Sequence, residues 1–291
     1  MLQMYSDIIK ELGDVAEYME NSLERRMNGI SKGKMSEAMA YSLLGGGKRI
    51  RAFLTVEFCK MFGGTADDAE AYASALEMVH AYSLIHDDLP SMDNDDMRRG
   101  KPSCHKAYGE TIALLAGDAM LTLAFETASE GVRNPLRAVN ELAKAAGALG
   151  MCRGQEIDLS LNCSSYSELE ELHNLKTGAL INAAATLGYL AAAETVCEDI
   201  LYKIRKYALA VGLAFQIVDD LLDIRSTAEE LGKPIGSDDK NGKKTVLSYM
   251  SEDEADKKAK ELSLYAAGIF ADYDKSDIIC KLPMYLLSRT K

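Results

Sequence analysis

The chain has 291 residues and a formal net charge of −12, and 47% of its residues are hydrophobic. This length suits one large domain or two average ones, and the hydrophobic share is ample for a buried core. The negative field opposes binding to nucleic acid or any other polyanion. An anionic ligand would therefore need local clusters of basic residues, which should be visible in the sequence.

Cysteine usage and the apolar segments indicate the compartment. The six cysteines lack the close pairs of a zinc site and the density of a disulfide scaffold, which favours reduced thiols in a cytoplasm. The N-terminal segment carries acids from Asp7 onward, without the basic start and apolar run of a signal peptide. The most apolar stretch, 178–193, is interrupted by Asn182 and is too short to span a bilayer. We therefore expect a soluble cytoplasmic protein that does not bind membranes or nucleic acid.

The spacing of the apolar residues predicts an all-α fold. Helical periodicity recurs along the chain, whereas no alternating strand–turn–strand pattern stands out. Thr65 with Asp68 and Ser167 with Glu170 match the capping box, which predicts a helix start at each pair. No linker or break in composition divides the chain, so residues 1–291 are predicted to form a single domain.

Three glycines precede a basic cluster early in the chain. Lys48, Arg49 and Arg51 follow the glycines at 45–47. Glycine permits close approach of the backbone to an anion, although the spacing and the missing hydroxyl after the lysine exclude a Walker P-loop. By itself the segment is equally compatible with a helix N-terminus that carries exposed basic residues.

A dense run of aspartates follows a predicted helix. Residues 67–89 have apolar side chains at three- and four-residue spacings, and this helix runs directly into Asp87 and Asp88 before Pro90 disturbs it. The basic residues that follow at once are Arg98, Arg99 and Lys101. Mg²⁺ accepts a few carboxylates and takes its other ligands from water and phosphates. The segment therefore predicts a site for metal and phosphate together; the alternative is a solvated acidic loop.

A second acidic cluster lies in an apolar segment. Asp219 and Asp223 are four residues apart and share a helix face, with Asp220 beside them. Like charges among Phe, Ile, Val and Leu are costly unless cations compensate them. The alternative is a helix whose polar stripe happens to be acidic. The polar stretch that follows, 226–245, is rich in Gly, Lys and Asp and is predicted to be a loop.

Together these segments resemble the trans-isoprenyl diphosphate synthases, the polyprenyl synthetase family, and within it most of all the bacterial farnesyl diphosphate synthases. The motifs that carry the resemblance occur in the expected order: GGGKRIR, HAYSLIHDDLPSMDNDDMRRGKP, GQEIDL, HNLKTGALI, FQIVDDLLDI and LGKPIGSD. The resemblance covers nearly the whole chain. It implies a bundle of long helices around a central cavity, and a homodimer.

The resemblance also implies roles for individual residues. Several Mg²⁺ ions on the allylic diphosphate would be held by Asp87, Asp88, Asp93, Asp219 and Asp223. The same diphosphate would be contacted by Arg98, Lys176 and Lys233. Isopentenyl diphosphate would be held without metal by Lys48, Arg51, His80 and Arg99. The implied catalytic residues are Arg98 and Lys176 at the leaving group and Thr177 and Gln216 beside the reacting carbons.

The implied reaction joins isopentenyl diphosphate head to tail with dimethylallyl or geranyl diphosphate. Tyr82, with Ser83 beside it, lies five residues before Asp87 and therefore about 7.5 Å deeper along the helix. An aromatic residue there would form the floor of the tail pocket, which predicts a fifteen-carbon product. A synthase of the longer geranylgeranyl diphosphate remains the alternative.

Two further alternatives belong to other classes. A class I terpene cyclase would not need the basic site formed by Lys48, Arg51 and His80. An inactive regulatory subunit would tend to lose an aspartate motif, and both are present here. The chain departs from the family at Val246 and Leu247, where Tyr-Pro is common, and this difference concerns the closure of the neighbouring loop.

Overall fold

The computed structural model describes residues 5–160, 163–225 and 244–288. These residues are almost entirely helical, which confirms the all-α prediction. The α-helices are α1 (Ser6–Asn28), α2 (Lys34–Leu43), α3 (Ile50–Met61), α4 (Ala66–Asp87), α5 (Cys104–Tyr108), α6 (Glu110–Ser129), α7 (Pro135–Ala146), α8 (Met151–Ser160), α9 (Tyr166–His173), α10 (Ala179–Ala192), α11 (Glu198–Arg225), α12 (Glu252–Ile269) and α13 (Ile278–Leu287). The shorter elements are strands β1 (Met97–Arg98) and β2 (Lys101–Pro102), a π-helical turn (Asn174–Gly178) and a 3₁₀ turn (Val246–Ser248).

The contacts among the described residues define two compact units. The N-terminal unit consists of Ile9–Leu142 and Leu187–Glu194. The C-terminal unit draws on Met1–Ile8, Ala143–Thr186 and Thr195–Lys291, apart from the residues outside the described ranges. The first aspartate cluster and the basic segment belong to the N-terminal unit, and the second aspartate cluster belongs to the C-terminal unit.

Helix α4 is the central helix of the N-terminal unit, where it packs against α3 and α6. The predicted start is confirmed: the N–H of Asp68 donates to Oγ1 of Thr65, and the N–H of Thr65 donates to Oδ2 of Asp68 over 2.9 Å. The helix ends at Asp87, two residues earlier than predicted, with Asp88 as its C-cap. The nearby Pro90 cannot continue a helix, which places the aspartates at its C-terminal end.

The C-terminal unit is built around α11, which packs against α12. Its buried apolar cluster includes Leu172, Leu213, Ile217 and Val246, all at most 6% exposed. The prediction that Ser167 begins a helix was wrong by two residues, because Ser165 is the N-cap of α9 and its hydroxyl accepts from the N–H of Glu168. The same Ser-x-x-Glu spacing occurs twice in succession there, so the pattern alone could not separate the two starts.

Candidate active site

The loop after α4 folds back on the helix end. The N–H of Asp93 donates to the carbonyl oxygen of Asp87 over 2.9 Å, and the N–H of Asn94 donates to that of Leu89 over 3.1 Å. Asn94 has the left-handed backbone conformation, with φ 53°, that such a tight return needs. The structure therefore brings Asp87 and Asp93, six positions apart in sequence, to neighbouring places at the end of α4.

Asp88 has a different surrounding from its neighbours. Its side chain is only 2% exposed, and its two carboxylate oxygens accept from Nε of Arg98 over 3.0 and 3.2 Å. Burial raises the pKa of Asp88, and the bound Arg98 opposes that rise. Arg98 was predicted to contact a diphosphate. In this structure it binds Asp88, one of the predicted metal ligands.

The predicted metal ligands fit Mg²⁺ by their chemistry. Within the described ranges, no three His, Cys, Asp or Glu side chains already converge as a metal shell. Asp87 and Asp93 supply hard oxygen donors only, whereas a zinc site would use nitrogen or sulfur. One or two carboxylates suffice for Mg²⁺, which keeps several waters and takes phosphate oxygens from a substrate.

A two-stranded hairpin carries the two arginines after the cluster. Met97 pairs with Pro102 and Arg98 with Lys101. Arg99 and Gly100 form the turn with φ 52° and 74°, as a two-residue hairpin turn requires. No strand was predicted here, because two-residue strands are too short to show alternation. Gly100 at the second turn position was the signal that could have revealed the hairpin.

The hairpin places Arg99 against the glycine-rich segment. Gly46 and Gly47 have φ of 79° and 129°, conformations that other residues rarely adopt. A Cβ atom on Gly47 would lie 3.0 Å from Cζ of Arg99, whose Nη1 donates to the carbonyl oxygen of Gly46. The group that approaches these glycines closely is thus an arginine side chain that the resemblance assigns to isopentenyl diphosphate.

The electrostatics of this region favour an anion. The pKa of His80 is lowered well below its usual range by burial and by the positive charges of Arg51, Arg99, Arg49 and Arg98. Burial also lowers the pKa of Arg51, with a further contribution from Arg99. His80 is therefore neutral at neutral pH and presents a hydrogen-bonding ring among positive charges. Lys48 lies exposed in the same segment.

Arg49 differs from the basic residues on either side of it. Its Nη1 donates to Glu77 over 3.0 Å, and its Nη2 donates to Glu20 over 2.7 Å and to the carbonyl oxygen of Leu43 over 2.6 Å. The side chain is 4% exposed. The structure thus separates the internal Arg49 from the exposed Lys48 and the half-buried Arg51.

Tyr82 and Ser83 lie in the last turns of α4, before the aspartates. Tyr82 is buried at 6% exposure, and its ring stands edge-on to His86, with ring centroids 5.8 Å apart. His86 is held in turn by a hydrogen bond between Nε2 and the carbonyl oxygen of Leu114 over 3.0 Å. Ser83 donates to the carbonyl oxygen of His80 over 2.9 Å, so its hydroxyl is turned toward its own helix.

A polar cavity in the C-terminal unit gathers a second set of the predicted residues. It is lined by Asp158, Leu172, His173, Lys176, Thr177, Gln216, Asp220, Lys244 and Thr245. Lys176 and Thr177 lie in the π-helical turn, a local widening of the helix that often marks functional positions. The hydroxyl of Thr177 donates to Oε1 of Gln216 over 3.3 Å. The two side chains are therefore in direct contact.

The second aspartate cluster contains residues with different surroundings. Asp220 is buried, and its carboxylate accepts from the N–H of Val246 over 2.8 Å and from Nε2 of Gln216 over 3.3 Å. Asp219 is half-buried and Asp223 is buried on the adjoining face of α11. Asp220 therefore fixes the amide of Gln216, whereas Asp219 and Asp223 keep the shared helix face that their spacing predicted.

Some site residues were missed, and one predicted residue cannot be placed. Asp158, His173 and Lys244 line the cavity without having been predicted as site residues. The GQEIDL motif was the available signal for Asp158, but it suggested no role. Lys233, predicted to bind the diphosphate, lies outside the described residues, as does most of the predicted loop at 226–245.

Comparison with known proteins agrees with this arrangement. The family model described as "Polyprenyl synthetase" matches residues 32–278. The farnesyl diphosphate synthase of Escherichia coli is 45% identical over 234 residues, 78% of this chain and 78% of its own. Geranylgeranyl pyrophosphate synthase 3 of Arabidopsis thaliana, a chloroplastic protein, is 46% identical over 253 residues, 83% of this chain and 70% of its own. The structure is similar to an FPP/GFPP synthase from Zymomonas mobilis, with a TM-score of 0.85 and 33% identity over 97% of this chain and 99% of the other.

The fold is therefore the all-α isoprenoid synthase fold. The chain belongs to the polyprenyl synthetase family, as the resemblance predicted. It is a prenyltransferase of isoprenoid biosynthesis.

Proposed function

We propose that the enzyme is a farnesyl diphosphate synthase, which condenses isopentenyl diphosphate with dimethylallyl or geranyl diphosphate in a Mg²⁺-dependent reaction. The observation that carries this proposal is that the N-terminal unit holds both an aspartate cluster and a separate cluster of arginines. Asp87 and Asp93 lie together at the end of α4, where Arg98 pairs with the adjacent Asp88. Arg51 and Arg99 lie near the neutral ring of His80. A condensing enzyme needs a metal-dependent site for one diphosphate and a basic site for a second.

The proposed chemistry follows from the charges. When bound, Mg²⁺ held by Asp87, Asp88, Asp93, Asp219 and Asp223 would neutralise the allylic diphosphate. Arg98 and Lys176, with Lys233, add positive charge to the same leaving group, and the allylic C–O bond breaks with its electron pair on the diphosphate. The double bond of isopentenyl diphosphate then forms the new C–C bond, and the released diphosphate takes the proton that is lost.

Thr177 and Gln216 contribute dipoles to this reaction. Oε1 of Gln216 accepts from Thr177, and Nε2 of the same amide donates to Asp220, so the orientation of the amide is fixed at both ends. A fixed dipole stabilises a developing cation without reorganising during the reaction. The arrangement supports a role for both residues beside the reacting carbons.

The product length is proposed from Tyr82. Its side chain is 6% exposed, and its ring packs edge-on against His86. A pocket for the prenyl tail that runs along α4 would therefore end at this ring. The relatives include farnesyl and geranylgeranyl synthases at nearly equal identity, 45% and 46%. Geranylgeranyl diphosphate is therefore the second candidate product, and Tyr82 favours the shorter one.

Helix α6 supports the proposal of a homodimer. Its residues Glu110–Ser129 are long and apolar enough to cross a membrane by length and composition, and 39% of its most apolar stretch is buried. Leu114 and Leu115 are 48% and 46% exposed on it, an apolar surface that a second copy of the chain would cover. We propose a cytoplasmic homodimer in which residues 1–291 act as one polyprenyl synthetase domain.

The test is a product assay with purified protein, isopentenyl diphosphate, Mg²⁺ and either dimethylallyl or geranyl diphosphate. Farnesyl diphosphate should form from both starters and disappear when EDTA removes the metal. Asp87→Asn and Asp219→Asn should each lose most of the turnover, whereas Asp253→Asn, an exposed residue in the first turn of α12, should keep it. Formation of a hydrocarbon from farnesyl diphosphate alone would favour a cyclase, and no turnover of either starter would favour an inactive regulatory subunit.

A further inference from the structure

The GQEIDL motif on α8 has no role in the reaction as described so far. Two of its residues, Gly154 and Asp158, are four positions apart and therefore share one face of α8. Helix α8 contacts the π-helical turn, and it does so through this face, since Gly154 and Asp158 both lie against Lys176. A Cβ atom on Gly154 would lie 2.3 Å from the backbone nitrogen of Lys176. The glycine therefore lets α8 approach the backbone of the turn that carries the predicted catalytic residues.

Asp158 contacts the side chain of the same lysine. Oδ2 of Asp158 lies 2.6 Å from Nζ of Lys176, and the two side chains are 14% and 28% exposed. A short, partly buried pair of this kind is stronger than a surface ion pair. The motif thus meets Lys176 twice: Gly154 leaves room for its backbone, and Asp158 pairs with its ammonium group.

We propose that Asp158 is a positioning residue, which holds the ammonium group of Lys176 where it meets the leaving diphosphate. This inference rests on the proposed function. A lysine ammonium has three donors, so one bond to Asp158 leaves two for phosphate oxygens. Lysine also loses considerable rotamer entropy when it is immobilised, and a pair already formed before substrate arrives removes that cost from the binding step.

The other charged groups of the cavity do not substitute for Asp158. Asp220 already accepts from Val246 and Gln216. His173 is 6% exposed and its pKa is lowered to about 4, chiefly by burial, so at neutral pH it brings no charge to the lysine. Of the two acids that line the cavity, Asp158 is the one that lies within ion-pair distance of Lys176.

The test is a double-mutant cycle on the full-length enzyme. Asp158→Asn keeps the side-chain volume and removes the charge, Lys176→Met removes the ammonium group, and the third variant combines both. Glu156→Gln is the matched control, since Glu156 lies on the same helix, is 69% exposed and pairs with Arg153. Urea denaturation of each variant checks that it is folded.

If Asp158 acts through Lys176, Asp158→Asn lowers kcat/KM for the allylic diphosphate about tenfold and leaves the KM for isopentenyl diphosphate unchanged. The same change in the Lys176→Met background then has no further effect. An equal loss in both backgrounds, or no loss in either, would overturn the proposal. Glu156→Gln should match the wild type.

Failure of the proposed function would be recognised separately. If the wild type gives no product, the same four proteins and the control are compared by calorimetric titration with inorganic diphosphate in the presence of Mg²⁺. The positioning role is supported, whatever the reaction is, if Asp158→Asn weakens diphosphate binding in the wild-type background. The same substitution should then have no effect on binding in the Lys176→Met background. Equal binding by the wild type and Asp158→Asn contradicts it.

Discussion

Nη1 of Arg49 lies 3.0 Å from a carboxylate oxygen of Glu77, and the two side chains are 4% and 3% exposed. The second oxygen of Glu77 accepts from the N–H of Ala52 over 3.1 Å, at the start of α3. This buried pair connects the basic segment to α4, the helix that ends in the aspartates. It therefore holds the residues on either side of Arg49 in place without using Arg49 as a ligand.

The first prediction separates Arg49 from its neighbour Lys48. Arg49→Met leaves the buried carboxylate of Glu77 without its main partner, which should cost about 3–5 kcal/mol in the free energy of unfolding. Lys48→Met, a change at an exposed side chain, should alter the free energy of unfolding by less than about 0.5 kcal/mol and raise the KM for isopentenyl diphosphate. Urea denaturation and steady-state kinetics measure both effects. A variant at Arg49 with wild-type stability would show that the pair is not structural.

The second prediction concerns Gly47. Gly47→Ala places a methyl group 3.0 Å from Cζ of Arg99 at a φ of 129°, so the guanidinium must move away. We expect the KM for isopentenyl diphosphate to rise about tenfold, while the KM for the allylic diphosphate stays within about twofold. The control is Gly13→Ala in α1, where no atom lies within 4 Å of the added Cβ. That change should stabilise the helix by about 0.5–1 kcal/mol without altering either KM.

The third prediction concerns chain length. Tyr82→Ala removes the buried ring that stands against His86 and should shift the product from fifteen carbons to twenty or more, because the floor of the proposed pocket is lost. Tyr82→Phe keeps the ring and should keep the product. Chromatography of the dephosphorylated alcohols reads the outcome. An unchanged product spectrum from Tyr82→Ala would reject Tyr82 as the residue that limits length.

The fourth prediction concerns pH. The pKa of His173 falls to about 4 in the folded protein, chiefly through burial, so the unfolded chain binds its proton at higher pH than the folded chain does. Stability from this residue is therefore present above the unfolded pKa of about 6.5 and is lost as the pH falls toward 4. Between pH 7 and pH 5 the wild type should lose about 2 kcal/mol more than His173→Gln. Urea denaturation at the two pH values measures the difference, and parallel losses would contradict the assignment.

Much of the site was predictable because its residues are close in sequence. The capping box at Thr65, the helix that carries Asp87 and the shared face of Asp219 and Asp223 all follow from local patterns. The basic segment after the glycines indicated anion binding only in combination with the two aspartate clusters. These features depend on spacing of at most a few residues.

Other features depend on contacts that no local pattern encodes. Arg49, Arg51 and Lys48 look alike in sequence, yet Glu77, 28 positions from Arg49, makes only one of them internal. Asp158 gains its partner 18 positions away, through a π-helical turn that periodicity did not predict.

The sequence by itself determined the all-α class and the kind of ligand, because both follow from residue type and spacing. Only the tertiary structure decided which charges are buried in pairs and which are exposed, because burial and ion pairing depend on distances between distant segments.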